Sequence, residues 1–244
     1  MHYAIIACEV MRPELEFLSN AVAYSPEIHY LRQGLHDTPK RLKQEVQGMI
    51  EAVETESPHL THLVLAYGLC GQGMTGITAR RCELIIPRVH DCIPLLIGSR
   101  AIHKREHEKA CGTYWFSPGW LTHSVIPYLD NRSVRLTNYI EKYGKDQADT
   151  LMGMEDAVLT NYTRACLISW PGFDATWLPM AHEAAERSNL HLETLPGNPS
   201  YIQELLQGPW NPRRFARIVP GHEITQSLDE EVVICGEPLA VCPA

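Results

Sequence analysis

The stretch Thr61–Gly76, "THLVLAYGLCGQGMTG", carries the first decision about the fold. Its opening, "HLVLA", is a short continuous apolar run, the pattern of a strand buried on both faces of a parallel sheet. Just beyond that run, Gly71, Gly73 and Gly76 stand in the spacing G-x-G-x-x-G, the fingerprint of a dinucleotide-binding turn. That fingerprint has meaning only where a helix starts at the turn and crosses back over the sheet. Only "ITARRC" separates Gly76 from the next strand candidate at Glu83, too short a piece for such a helix. The glycines therefore predict a tight turn that lets backbone come close to a bound group. The residue that stands out is Cys70.

Working outward, similar runs predict strands at Tyr3–Ala7, His62–Ala66, Glu83–Pro87, Thr113–Phe116 and Cys166–Trp170, with fainter ones at His191–Leu195, Arg217–Val219 and Val232–Ile234. Helical spacing appears between them. Thr38–Glu54 has Thr38 as cap, Pro39 in the first turn, then Leu42, Val46, Ile50 and Val53 on one face. Pro13–Ala23, Ser133–Tyr143, Asp146–Tyr162, Asp174–Ser188 and Pro199–Leu206 carry the same period. Strands alternating with helices predict an α/β chain: an open, mostly parallel twisted sheet with helices on both faces, Rossmann-like in kind. The expectation is one domain over 1–244, with a soft subdivision near 130.

Bulk properties narrow the function classes. The chain has 244 residues, 45% hydrophobic and 20% charged, ordinary for a globular protein with a sizeable core. A net charge of −8 without a basic run argues against a nucleic-acid or anionic-membrane surface. No apolar run reaches membrane-spanning length, and "MHYAIIACEVMRPELEF" lacks the basic start of a signal peptide. A cytoplasmic location is expected. Eight cysteines are then expected to be thiols or metal ligands rather than disulfides.

Three of them share one feature. Cys8 ends "YAIIAC", Cys70 follows "LVLAYGLC", and Cys92 follows "LIIPRVHDC". Each stands at or just beyond the carboxyl end of an expected strand, where loops of an open parallel sheet converge on ligands. If those strands are neighbours, the three thiols meet. Thiolates and imidazoles are preferred ligands of Zn²⁺, and His90-x-Cys92 offers two from one loop. Three thiolates equally suit a [4Fe–4S] cluster with one open iron.

Neighbouring polar residues supply the remaining candidates. His90 is a general base or ligand, Asp91 fixes its tautomer, and Glu9 beside Cys8 orients a ligand or acts as base. Gly71, Gly73 and Arg88 are expected to hold an anionic group of a cofactor or small-molecule substrate. In "TYWFSPGW", Trp115 or Trp120 is expected to wall the pocket, Trp120 after Pro-Gly being the better placed.

The set "IIACEVM", "AYGLCGQG", "PRVHDCIPLLIGSR" and "GTYWFSPGW", in that order, resembles the bacterial and archaeal domain of unknown function numbered 1638 across nearly the whole chain. The resemblance implies an association with corrinoid-dependent methyltransferases of one-carbon metabolism, and so a corrinoid protein or methyltransferase as partner. It also implies an analogy with zinc methyltransferases that activate a thiol through an H-x-C pair and a distant cysteine. Those enzymes are barrels, for which this chain is too short and irregular, so no catalytic role is carried over. The expected function is a metal-dependent enzyme, a methyl transferase or lyase, with zinc at Cys8, Cys70, Cys92 and His90. Two alternatives stand: a three-cysteine [4Fe–4S] enzyme, and a non-catalytic protein that delivers a corrinoid or metal. The sequence leaves the oligomeric state open.

Overall fold

The computed structural model describes residues 2–20, 26–124, 126, 131–173, 176–229 and 232–238. They form a mixed α/β protein in two compact units: Met1–Arg100 with Asn198–Ala244, and Ala101–Gly197. The soft boundary expected near 130 falls inside the second unit, where 127–130 lie outside the described residues.

The first unit opens with β1 (Tyr3–Cys8), α1 (Arg12–Ser19), β2 (Glu27–Leu31), α2 (Pro39–Glu56), β3 (His62–Ala66), β4 (Glu83–Pro87) and α3 (Ile93–Ile97). The chain then passes through α4 (Arg100–Lys109), β5 (Thr113–Phe116), α5 (Pro118–His123), α6 (Arg132–Tyr143), α7 (Lys145–Leu159), β6 (Arg164–Ser169), α8 (Trp177–Arg187) and β7 (His191–Pro196). It returns to the first unit as α9 (Ser200–Gln207), β8 (Phe215–Ile218), β9 (His222–Gln226) and β10 (Val233–Pro238).

The first unit holds a five-stranded sheet in the order β2-β1-β3-β4-β8. The first four strands run parallel, and β8 joins β4 antiparallel, with Leu84 opposite Ile218. The sheet is thus mostly parallel but mixed, because an antiparallel edge strand needs no crossover helix to reach its place. Alternation along the strands divides the core. Ala4, Ile6, Leu63, Leu65, Leu84 and Ile86 pack with the stripe Leu42, Val46, Ile50 and Val53 of α2. Each such large apolar side chain, fully buried, contributes roughly 1.5–3 kcal/mol. The intervening Ile5, Val64 and Ile85 are as deeply buried, and the Tyr3 hydroxyl donates to the Leu206 carbonyl of α9.

Thr38 stands before α2 as expected, yet its side chain makes no capping bond. No helix joins β3 to β4. Residues 70–76 form successive turns, pinned where Gly76 N–H donates to the Ile224 carbonyl (2.7 Å) and Thr78 bridges Glu223.

The second unit carries a separate parallel sheet, β5-β6-β7, with α8 laid on it through Ala181, Ala184 and Ala185 against Phe116 and Leu167. Its one deeply buried guanidinium among the described residues, Arg164, donates to Thr113 Oγ1 (2.8 Å), Glu193 (2.6 Å) and Glu106 (3.1 Å). Among the described residues no helix is long and apolar enough to cross a membrane.

Candidate functional site

The three strand-end cysteines leave three adjacent strands of the five-stranded sheet, β1, β3 and β4. The chain moves outward from β1 to β2 and then returns across the sheet to β3, so the winding reverses between β1 and β3. At such a reversal, successive loops diverge above the carboxyl edge and open a crevice. Cys8 and Cys70 flank that point, and Cys92 comes from the next loop along.

Backbone pairing continues past the strands and locks two of these loops together. Leu69 N–H donates to the Val89 carbonyl and Cys70 N–H to the His90 carbonyl, both at 3.0 Å. The approach is close at Gly68, where a Cβ would lie 2.7 Å from the N, Cα and C atoms of Asp91. No side chain fits there, so glycine is required for contact rather than for φ. Beyond it Cys70 and Gln72 adopt left-handed φ of +47° and +71°, costing roughly 1–2 kcal/mol each for non-glycine residues. Gly73 N–H folds back onto the Cys70 carbonyl (3.1 Å) and closes the turn. Cys92 precedes α3, whose first turn is capped by Asp91 Oδ1 accepting from Ile93 N–H (2.8 Å).

All three cysteines are half-buried and outside any disulfide. Burial pushes the Cys8 thiol up to about 11, eased by the Val10 backbone and reinforced by Glu9. Burial first, then the charges of Cys8 and Asp91, push Cys70 up to about 12, against a lowering by the Gly68 backbone. Cys92 stands well above the ordinary thiol value through burial, then Asp91, Cys70 and Cys8. Each sulfur is therefore within electrostatic reach of the others. At neutral pH the bare site holds thiols, which are poor nucleophiles.

Other expected site residues are placed differently. The His90 side chain is exposed, and Asp91 caps α3 instead of fixing an imidazole. Arg88, expected as an anion clamp, donates through Nε to the Pro212 carbonyl (2.9 Å) and through Nη1 to the Val233 carbonyl. Its guanidinium thus ties down the segment before β8 and the start of β10. Glu9 lies 4.0 Å from Arg12. Gly71 is exposed in the turn, whereas Gly73 is buried against Leu42 of α2. Trp120 belongs to α5 in the second unit, with its ring 6.4 Å from that of Tyr114. Among the described residues no group of three or more His, Cys, Asp or Glu side chains is gathered closely enough to hold a metal ion.

Two residues matter that sequence reasoning passed over. Gly68 was overshadowed by the glycines of the fingerprint. Tyr67, 3% exposed, keeps a hydroxyl with no hydrogen-bond partner among the described residues, beside Cys8 and Cys70.

A family model described as a protein of unknown function (DUF1638) matches residues 30–206. The chain belongs to the DUF1638 family. The match takes in Tyr67, Gly68, Cys70, Cys92 and Trp120, while Cys8 and Glu9 precede it. No curated protein and no solved structure matches the chain. Membership of DUF1638 assigns no chemistry, which must come from the site itself.

Proposed function

We propose that the carboxyl edge of the five-stranded sheet binds a metal centre through Cys8, Cys70 and Cys92, leaving one position open to a small-molecule substrate. One observation carries the reading: three thiols from three adjacent strands stand within electrostatic reach at the point where the winding reverses. As thiols they are poor ligands and poor nucleophiles. A cation is what would convert such a set to thiolates, since metal binding releases the protons. The parallel core β2-β1-β3-β4 supports a Rossmann-like view of the edge, although the glycine turn lacks the helix of a dinucleotide site.

The spacing bears on which metal fits. A zinc ion about 2.3 Å from each sulfur draws its ligands to roughly 4 Å from one another. No three ligating side chains are so gathered among the described residues, and His90 would have to turn inward. A [4Fe–4S] cluster takes one thiolate on each of three irons, spreads them wider, and leaves the fourth iron for substrate. Three cysteines without an inward histidine suit the cluster, with zinc as the second reading. Either centre fits the corrinoid-linked methyl transfer implied by the family's associations, and a delivery protein would bind the same centre without turnover.

Anaerobic purification followed by metal and sulfide analysis tests this. The expected result is a brown protein with about four irons and four sulfides per chain, lost in Cys70→Ser and in Cys92→Ser. One colourless equivalent of zinc, lost in the same variants, replaces the cluster by zinc. Metal content unchanged in both variants overturns the site.

A further inference from the structure

The second unit holds a cavity of about 420 Å³, the size of a small-molecule pocket. Its walls come from the segments that enter the three parallel strands: Tyr114 at the start of β5, Tyr162 just before β6 and Leu190 just before β7. Leu159 of α7 adds a fourth apolar wall. All four residues are half-buried, and the Tyr114 and Tyr162 rings meet edge to face at 4.8 Å. Topology alone would not announce a ligand here, since parallel sheets gather theirs at the carboxyl edge and this is the amino edge. The side chains make the case.

The rim is polar without a net charge. Arg132 donates through Nε to Asp156 Oδ1 (3.0 Å) and through Nη2 to Oδ2 (2.6 Å). Arg132 Nη1 has no hydrogen-bond partner among the described residues, and the carboxylate oxygens keep further acceptor sites. The pair thus presents a donor beside an acceptor, with its charges cancelled. Asn189, also lining the cavity, carries both functions in one carboxamide. It is exposed, and its side chain has no hydrogen-bond partner among the described residues. Its φ of +54° is left-handed, a conformation asparagine tolerates. Asn189 N–H donates to the Glu186 carbonyl (3.0 Å) and Leu190 N–H to the Ala185 carbonyl (2.9 Å), which fixes the turn. An anionic ligand would meet a guanidinium already neutralised, in a chain of net charge −8.

We infer that this cavity binds an uncharged, planar, purine-like heteroaromatic ring. The ring lies among the two tyrosines and the two leucines, where aromatic edges and faces suit it. Its donor–acceptor edge pairs with Asn189, as asparagine reads adenine through two hydrogen bonds. The Arg132–Asp156 pair meets the remaining polar atoms. Every residue of the site lies between 101 and 197, so the inference stands apart from the metal-centre reading.

Calorimetric titration of the full chain with adenine, hypoxanthine and benzoate tests this. Wild type is expected to bind at least one of the two purines, about tenfold or more tightly than benzoate. Asn189→Gly keeps the left-handed turn and removes the carboxamide, so purine affinity should fall about tenfold. Leu190→Trp fills the cavity and should abolish purine binding. A wild type that binds neither purine overturns the inference, as does one that binds benzoate equally well. Purine binding unchanged in either folded variant also overturns it. Asn189→Gly, a change at an exposed turn, stays decisive should Leu190→Trp not fold.

Discussion

Gly68 lies against the backbone of Asp91 so closely that a Cβ would sit 2.7 Å from three main-chain atoms. This contact sets the spacing between the loop that carries Cys70 and the loop that carries Cys92. Neither side is a flexible side chain, so neither can yield. Gly68→Ala is therefore expected to destabilise the protein by about 2 kcal/mol or more and, on the metal-centre proposal, to reduce metal uptake. Urea unfolding and metal analysis check both; an alanine variant as stable as wild type would show that the loops separate freely.

Gln72 holds a left-handed φ of +71° and is exposed, with only its carbonyl engaged, by Thr75 N–H at 3.0 Å. Gln72→Gly removes the strain, partly offset by the greater freedom of glycine in the unfolded chain, for a gain of up to about 1 kcal/mol. At Cys70 the same argument ranks Cys70→Gly above Cys70→Ala in stability, while both remove the thiol. Thermal melts of the three variants decide it.

Glu54, near the end of α2, accepts from the backbone N–H groups of Cys82 and Arg81 (2.7 Å each) and Arg80 (3.1 Å). Burial pushes its carboxyl up, but those donors outweigh burial and leave it below the ordinary value of 4.5. A carboxyl lowered on folding stabilises the protein above its unfolded value, and the gain disappears as pH falls through the folded one. The stability difference between wild type and Glu54→Gln is thus expected to be complete at neutral pH. It should shrink below pH 4.5. Unfolding midpoints measured from pH 7 down to about 3 test the sign.

Arg164, 5% exposed, joins α4, β5 and β7 through Glu106, Thr113 and Glu193. Removing one member of a buried ionic set strands the others, a cost of about 3 kcal/mol here because Glu193 reaches solvent. Arg164→Met should therefore unfold the second unit at lower urea, with Arg164→Lys unable to replace the fork of donors. Limited proteolysis between 101 and 197 reports the loss.

How much of this was legible before the structure varied with the kind of interaction. β3, β4 and β5 fall on the residues their apolar runs predict, β3 and β4 being almost wholly buried and β5 aromatic and half-buried. β2, "EIHYL", and β9, "HEITQ", mix charge and half-burial and gave no comparable signal. The charge run His103–Lys109 lies on α4, with Glu106 turned inward to Arg164. The strand-end position of Cys8, Cys70 and Cys92 was visible in sequence, but the adjacency of their strands was not, since it depends on the order of pairing. Gly68 and Tyr67 were missed for a related reason: a close approach between loops, or a missing partner, belongs to the fold and has no local pattern. His90, Asp91 and Arg88 show the converse, chemically apt residues whose side chains are exposed or engaged in holding backbone.

The chain leaves the first unit after Arg100 and re-enters it at Asn198. These two crossing points are neighbours: Asn198 N–H donates to the Ile97 carbonyl (3.0 Å), and Gly98 packs against Asn198 with no space for a side chain. A short graft from Ser99 to Pro199 would therefore excise residues 100–198 without stretching what remains. Cys8, Cys70 and Cys92, together with Gly68 and Tyr67, belong to the retained part. The intervening segment is in this sense a cassette, and its removal allows the carboxyl edge of the five-stranded sheet to be tested by itself.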